Sequence, residues 1–219
     1  MANTLFLRLE GPLQAWGERA RWSVRDTSTE PTKSGVVGLL GCALGFSEDA
    51  DLVDLSRRTK MGVRCDREGV TLTDFQTIIG GILNAEGKVK DDTSISWRSY
   101  LCDASFLVAL QADNALINRL SAALQHPAWP VYLGRRSCVP ARPIFEGVGD
   151  YPDLTSALKD WTFPVSQVPG RNTVRAVIEA EAGEGVQRRD EVLSRRYRTF
   201  LPRYVKEVQL PLNFGKEAV

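Results

Sequence analysis

The stretch PTKSGVVGLLGCALGF, residues 31–46, sets glycines at 35, 38, 41 and 45 in an otherwise apolar run. Thr32 and Ser34 stand at its start, and hydroxyl residues before an apolar run mark a helix N-terminus. Intervals of three, three and four put all four glycines on one helical face. Glycine costs roughly 1 kcal/mol against alanine inside a helix, so such a face demands something held at backbone distance. Two arrangements meet the demand. The helix packs closely on a sheet, or an RNA or partner backbone approaches near the helix N-terminus, where free N–H groups favour phosphate.

Alternating patterns supply the sheet. TLFLRLE (4–10) sets Leu5, Leu7 and Leu9 against Phe6, Arg8 and Glu10, the period of a half-buried strand. MGVRCDR (61–67) and ASFLVALQA (104–112) read as the second and third strands. DNALINRLSAALQ (113–125) is a second helix, with Leu116, Ile117, Leu120 and Leu124 on one stripe. RPIFEGV (142–148) closes the series, and the resulting order is the ferredoxin-like split pattern of an α+β fold. Residues 13–33 are polar and irregular and read as a long loop, the kind that is often functional. The segment from about 68 to 102 reads as an inserted excursion. Residues 150–219 are expected to form a smaller β-rich extension packed against a first unit spanning 1–149.

With 219 residues and 43% hydrophobic side chains the chain can bury a real core. Its net charge of +1 excludes the global basic field of a non-specific nucleic-acid binder, so any nucleic-acid site must be a local patch. Cys42, Cys65, Cys102 and Cys138 are widely spaced, with no C-x-x-C pair. They read as reduced, mostly buried thiols rather than a zinc site or disulfide framework. The N-terminus has Arg8 and no long apolar core, so neither a signal peptide nor a membrane span is expected, and a cytoplasmic location is.

Catalytic signatures are sparse. The one histidine, His126, precedes a proline at a helix end, where histidine commonly serves the terminal carbonyls. No Walker A, nucleophile-elbow or tight acidic motif is present. Binding chemistry is better represented. In YLGRRSC (132–138), Gly134 lets the backbone bend while Arg135 and Arg136 offer forks that match phosphate oxygens, and Ser137 adds a hydroxyl. The alternative is a pair of structural arginines bonding carboxylates or backbone carbonyls. SWRSYLCD (96–103) brings Trp97, Arg98 and Tyr100 close together, surfaces on which unpaired bases stack, or ordinary strand-face packing. Arg188, Arg189, Arg195, Arg196, Arg198, Arg203 and Lys206 form the densest basic run, suited to a solvated face, to RNA or to an acidic partner.

Six blocks taken together, LRLEGPLQAWG (7–17), PTKSGVVGLLGCALG (31–45), VRCD (63–66), DFQT (74–77), WRSYLCDASFLVAL (97–110) and YLGRRSC (132–138), resemble the CasD family. These are the Cas-five-type subunits of Cascade, the type I-E CRISPR surveillance complex, within the RAMP superfamily. The resemblance implies an RRM-related ferredoxin-like fold with a long hairpin thumb between the second and third strands. It implies a non-catalytic subunit, present once, that caps the protein filament, grips the 5′ handle of CRISPR RNA, and touches the backbone subunit CasC and the large subunit CasA. No cofactor or metal is implied. Handle contacts are expected from Gln14, Trp16, Arg25, Thr32, Lys33 and Ser34 and from Gly134, Arg135, Arg136 and Ser137, with the thumb against a kinked nucleotide. Relatives in type I-C systems cut repeat RNA themselves with tyrosine, lysine and histidine; a lone histidine argues against that alternative, and in type I-E systems a separate subunit cuts.

Overall fold

A computed structural model of the chain describes residues 2–18, 23–84, 86–163, 172–194, 197 and 199–212. Its elements run β1 (Thr4–Glu10), β2 (Leu13–Gln14), β3 (Val24–Arg25), α1 (Lys33–Leu44), α2 (Asp49–Arg58), β4 (Lys60–Arg67), β5 (Val70–Ile79), β6 (Ile82–Leu83), β7 (Val89–Lys90), β8 (Thr93–Cys102) and β9 (Ser105–Gln111). Then follow α3 (Asn114–Gln125), β10 (Phe145–Gly149), α4 (Leu154–Asp160), β11 (Thr173–Ala180), β12 (Val186–Ser194) and β13 (Thr199–Pro211). The fold is mixed α+β.

One seven-stranded sheet has the order β10-β1-β9-β4-β11-β13-β12. Its first four strands are antiparallel neighbours, and in chain order helices lie between β1 and β4 and between β9 and β10 but not between β4 and β9, as the sequence pattern requires. Leu5, Leu7 and Leu9 of β1 face α1 and α3 in the larger core, with Phe106, Val108 and Leu110 of β9. The other face is buried as well. Phe6, Leu107 and Ala109 pack with Leu154, Ala157 and Leu158 of α4 and with Val174, Ile178 and Leu210. β1 is therefore buried on both sides, not half-buried, because α4 covers the face that Phe6 and Arg8 share.

Burying Arg8 requires a counter-charge. Its Nη1 donates to Asp66 Oδ2, and Arg64 grips the same carboxylate through Nε and Nη2. The remaining N–H groups of Arg64 donate to the carbonyls of Leu158, Trp161 and Thr162, at and just beyond the C-terminal end of α4. An ion cluster thus ties β1 and β4 to the helix above them.

Residues 173–211 do not pack on the first unit as a separate layer. β11 pairs with the free edge of β4, matching Ala176 to Arg64 and Ile178 to Gly62, and β13 and β12 continue the sheet outward. An unpaired β4 edge would leave backbone donors open; the extension closes it, so no break in the sheet marks residue 150. The excursion at 68–102 is a hairpin of β5 and β8 with ten residue pairs in unbroken register, from Val70–Cys102 to Ile79–Thr93. The four cysteines are free thiols, and burial pushes those of Cys65 and Cys138 up, keeping them protonated. No described helix is long and apolar enough to cross a membrane.

Candidate nucleic-acid interface

The glycine helix is built as its capping residues dictate. Thr32 Oγ1 accepts from Gly35 N, and Gly45 closes α1 in the left-handed conformation at φ 72°. Its glycine face does not meet the sheet. A Cβ at Gly35 would lie 2.8 Å from the Trp16 ring and one at Gly41 2.4 Å from Leu52 of α2, whereas one at Gly38 would meet nothing within 4 Å. Two glycines admit close neighbours and the third is open. Gly38 lies in a groove of about 280 Å³ whose walls include Ser34, Cys42, Phe46, Tyr132 and Gly134.

Several residues expected to touch RNA are turned inward. Gln14 is 0% exposed; its Nε2 donates to the carbonyls of Leu9 and Ala104, and its Oε1 accepts from Trp16 Nε1. Trp16 is 1% exposed, serving as the surface on which α1 rests. Thr32 is spent on its capping bond, and Lys33 is 2% exposed with Nζ on Glu179. The side chains of these four are engaged within the fold rather than presented at the surface. Their neighbours in space come from strands too distant in sequence for pattern to pair them.

The α1 N-terminus is likewise filled from within. Asp190 of β12 accepts from Lys33 N at 2.8 Å and holds the Arg203 fork at 2.7 and 2.9 Å. Glu30 takes Arg175 and Arg188 beside it. Arg188 and Arg203 are therefore internal counter-ions rather than members of a solvated basic face; Arg195, Arg196 and Arg198 lie outside the described residues. Burial works to raise the Asp190 carboxyl, but the Arg203 hydrogen bonds and charge and the Lys33 amide outweigh it and hold it below the ordinary 3.8. With the folded-state value below the unfolded one, its stabilisation is complete well above pH 3.8 and is lost as pH falls through the folded-state value. Asp190→Asn should lower the urea midpoint at pH 7 and flatten the acid limb of stability below about pH 5. An unchanged limb in the variant would show the latch contributes nothing.

What the fold does gather is one face of the hairpin. Arg98 and Tyr100 lie two apart on β8 and so project together, and the parallel register of β3 sets Arg25 beside Arg98. Asp74 lies opposite Arg98, held by Gln76 Nε2 at 2.6 Å. The turn 133–138 stands over this face. Leu133 N donates to Cys138 O and Cys138 N to Arg135 O, closing the turn, and Ala15 N donates to Leu133 O. Gly134 sits at φ +94°, with Ala15 O only 1.8 Å from where a Cβ would be. That conformation divides the two arginines. Arg135 points in, its Cζ 4.6 Å over the Tyr100 ring, while Arg136 is exposed with no hydrogen-bond or ion-pair partner among the described residues, and Ser137 is exposed beside it.

Trp97 lies on the opposite face. The two-residue alternation of β8 separates it from Arg98 and Tyr100, so the three do not form one cluster. It is 48% exposed and packs on Phe75, its cross-strand partner, at 4.7 Å between ring centroids. Read at period two, TSISWRSYLC shows this division directly. His126 is exposed at the C-cap of α3, its backbone N–H bonded to Ala122 O.

Comparisons with known proteins agree on one family. The model described as CRISPR-associated protein (Cas_Cas5) matches residues 4–206. The CRISPR system Cascade subunit CasD of Escherichia coli (strain K12) is 40% identical over 174 residues, 74% of this chain and 78% of that protein. A solved structure described as "Crystal structure of Cas protein" superposes with TM-score 0.75 at 39% identity, covering 95% of both chains. A chain of a "CRISPR RNA-guided surveillance complex" gives TM-score 0.78 at 31% identity, covering 95% of this chain and 90% of that one.

Proposed function

The chain belongs to the Cas5 family of CRISPR-associated proteins, and from that membership we propose that it is the subunit of a type I-E Cascade complex that holds the 5′ handle of CRISPR RNA and caps the protein filament without cutting the RNA. The observation that carries this reading is the shared face on which Arg25, Arg98 and the Gly134–Ser137 turn meet beside the open groove along α1. Guanidinium groups there suit RNA phosphates. The groove, apolar but with the Ser34 and Tyr132 hydroxyls at its wall, suits an unpaired base held by shape and hydrogen bonding.

Of the residues exposed on this face, Arg136 and Ser137 are the phosphate contacts in this reading, with Arg25 and Arg98 half-buried behind them. The reverse face of the hairpin has a different character. Phe75, Ile79, Ile95 and Trp97 are exposed there with Val24, with threonines and serine but no charged side chain between them. This apolar surface suits a protein neighbour, the backbone subunit CasC in the family reading, with CasA as the other contact of the chain.

A salt titration of CRISPR RNA retention in the assembled complex tests the RNA face. Losing one phosphate contact to single-stranded RNA should reduce the slope of log K against log salt by about 0.7. Arg136→Ala should show that reduction and Arg136→Lys little of it; identical slopes for Arg136→Ala and wild type would remove Arg136 from the interface. A cleavage assay of the purified chain on repeat RNA in chelator tests the non-catalytic role. Cutting at one position that His126→Ala abolishes would overturn it.

A further inference from the structure

Two adjacent arginines in one turn have opposite fates, and the buried one has a task that phosphate binding does not explain. Arg135 Nη1 donates to Ser99 O at 3.0 Å, and Nη2 donates to Arg25 O at 3.0 Å and Asp26 O at 3.3 Å. Its guanidinium carbon lies over the Tyr100 ring, 4.6 Å from the centroid. A guanidinium has five N–H donors in a rigid fork, and three are committed here to carbonyls from two separate segments.

Those segments need a tie. β3, which carries Arg25, is two residues long, joined to β8 by the Val24–Trp97 and Arg25–Arg98 pairs and by Trp97 N donating to Ser23 O. So short a parallel ladder is weak by itself. On its far side the strand continues into Thr27 and Ser28, which bond the Trp16 backbone. Arg135 bridges the gap, taking the carbonyls at the end of β3 and the Ser99 carbonyl of β8 in one group.

We infer that Arg135 is a positioning residue rather than a phosphate ligand: it locks the Arg25–Asp26 backbone against β8 and so sets the spacing of Arg25 and Arg98 on the RNA face. The inference rests on the RNA-binding reading above. It explains why the turn needs Gly134 at positive φ, since that backbone aims Arg135 at the sheet and leaves Arg136 outside. It also predicts that a lysine does not substitute for it. An ammonium keeps the charge but lacks the planar fork and the ring stack.

The test uses the full chain, alone and assembled with its neighbouring subunits and a CRISPR RNA transcribed from the repeat of its own genome. Arg135→Lys should weaken RNA retention roughly tenfold or more, the equivalent of one or two lost net hydrogen bonds. It should also speed amide exchange at residues 24–28 in the RNA-free chain, with global unfolding nearly unchanged. Arg57→Lys, exposed in the last turn of α2 and outside this face, should stay within about twofold of wild type in both readouts. Tyr100→Leu removes the stack at constant charge; it should reproduce both effects and be non-additive with Arg135→Lys, which keeps the inference testable if Arg135→Lys yields little folded protein. Wild-type exchange at 24–28 in Arg135→Lys, or RNA retention there within twofold of wild type, overturns the inference. Failure of wild type itself to hold the RNA handle would instead sink the RNA-binding reading, while the exchange measurement still decides the positioning role.

Discussion

Asp66→Asn should destabilise the chain by about 3–5 kcal/mol, the usual cost of stripping one partner from a buried ion pair, and lower Tm by roughly 6–20 °C for a domain of this size. Asp66 is 0% exposed and, among the described residues, is the only carboxylate gripping the buried Arg64, and the main one for Arg8, whose second contact, Glu146, lies at 3.4 Å. Asparagine fills the same volume but carries no charge, so Arg64 would lose its counter-ion in the interior and Arg8 would keep just the longer contact to Glu146. Arg8→Met is the informative partner. It should cost less than Asp66→Asn, because Asp66 keeps Arg64 and no charge is left unpaired. Denaturant unfolding of the three proteins measures both; a loss under about 1 kcal/mol for Asp66→Asn would mean the cluster is not a keystone.

Gly134→Ala should cost about 3 kcal/mol or more through steric strain, and should lower RNA retention along with stability. A methyl group there would fall 1.8 Å from Ala15 O, a backbone atom that cannot rotate away, at a φ of +94° that side chains rarely adopt. Relief requires moving the whole 133–138 turn, which breaks the Ala15–Leu133 hydrogen bond and withdraws Arg135 from its carbonyls. Gly38→Ala provides the contrast within the same groove. Nothing lies within 4 Å of its Cβ position, so ordinary helix propensity should govern and stability should rise by up to about 1 kcal/mol. Thermal unfolding and RNA retention of both variants separate a backbone requirement from a merely small residue.

Much of the fold was legible because its signals are local. β1, β4 and β9 announce themselves by apolar runs and alternation, α1 by the hydroxyl cap Thr32 and α3 by its apolar stripe of Leu116, Ile117, Leu120 and Leu124. Two helices have no counterpart among the sequence expectations. α2 has no side-chain N-cap, although Asp49 and Asp51 in its first turn and Arg57 and Arg58 in its last suit the helix dipole. α4 is only seven residues, capped by Asp153 inside a region that otherwise reads as strand. Missing α4 also made β1 look half-buried, since nothing then covered Phe6 and Arg8.

The placement of the candidate site residues was legible in part, and the division follows the same line. Gly134, Arg136, Ser137, Arg98 and Ser34 are placed where local reading put them, on an exposed turn, a hairpin strand and a helix start. Gln14, Trp16, Thr32 and Lys33 face inward, because Leu9, Ala104, Gly35 and Glu179 take up their polar groups or surfaces. By itself the amino-acid order determined the strands β1, β4 and β9, the helices α1 and α3, their sequence along the chain and the family to which six blocks point, all of which depend on residues a few positions apart. Only the tertiary structure decided which cations are available. Arg135, Arg188 and Arg203 are claimed by carbonyls and carboxylates 13 to 158 residues away, and Arg136 is not. A guanidinium carries the same charge in either case; whether it binds a partner is settled by which acceptors the folded backbone brings within 3 Å of it.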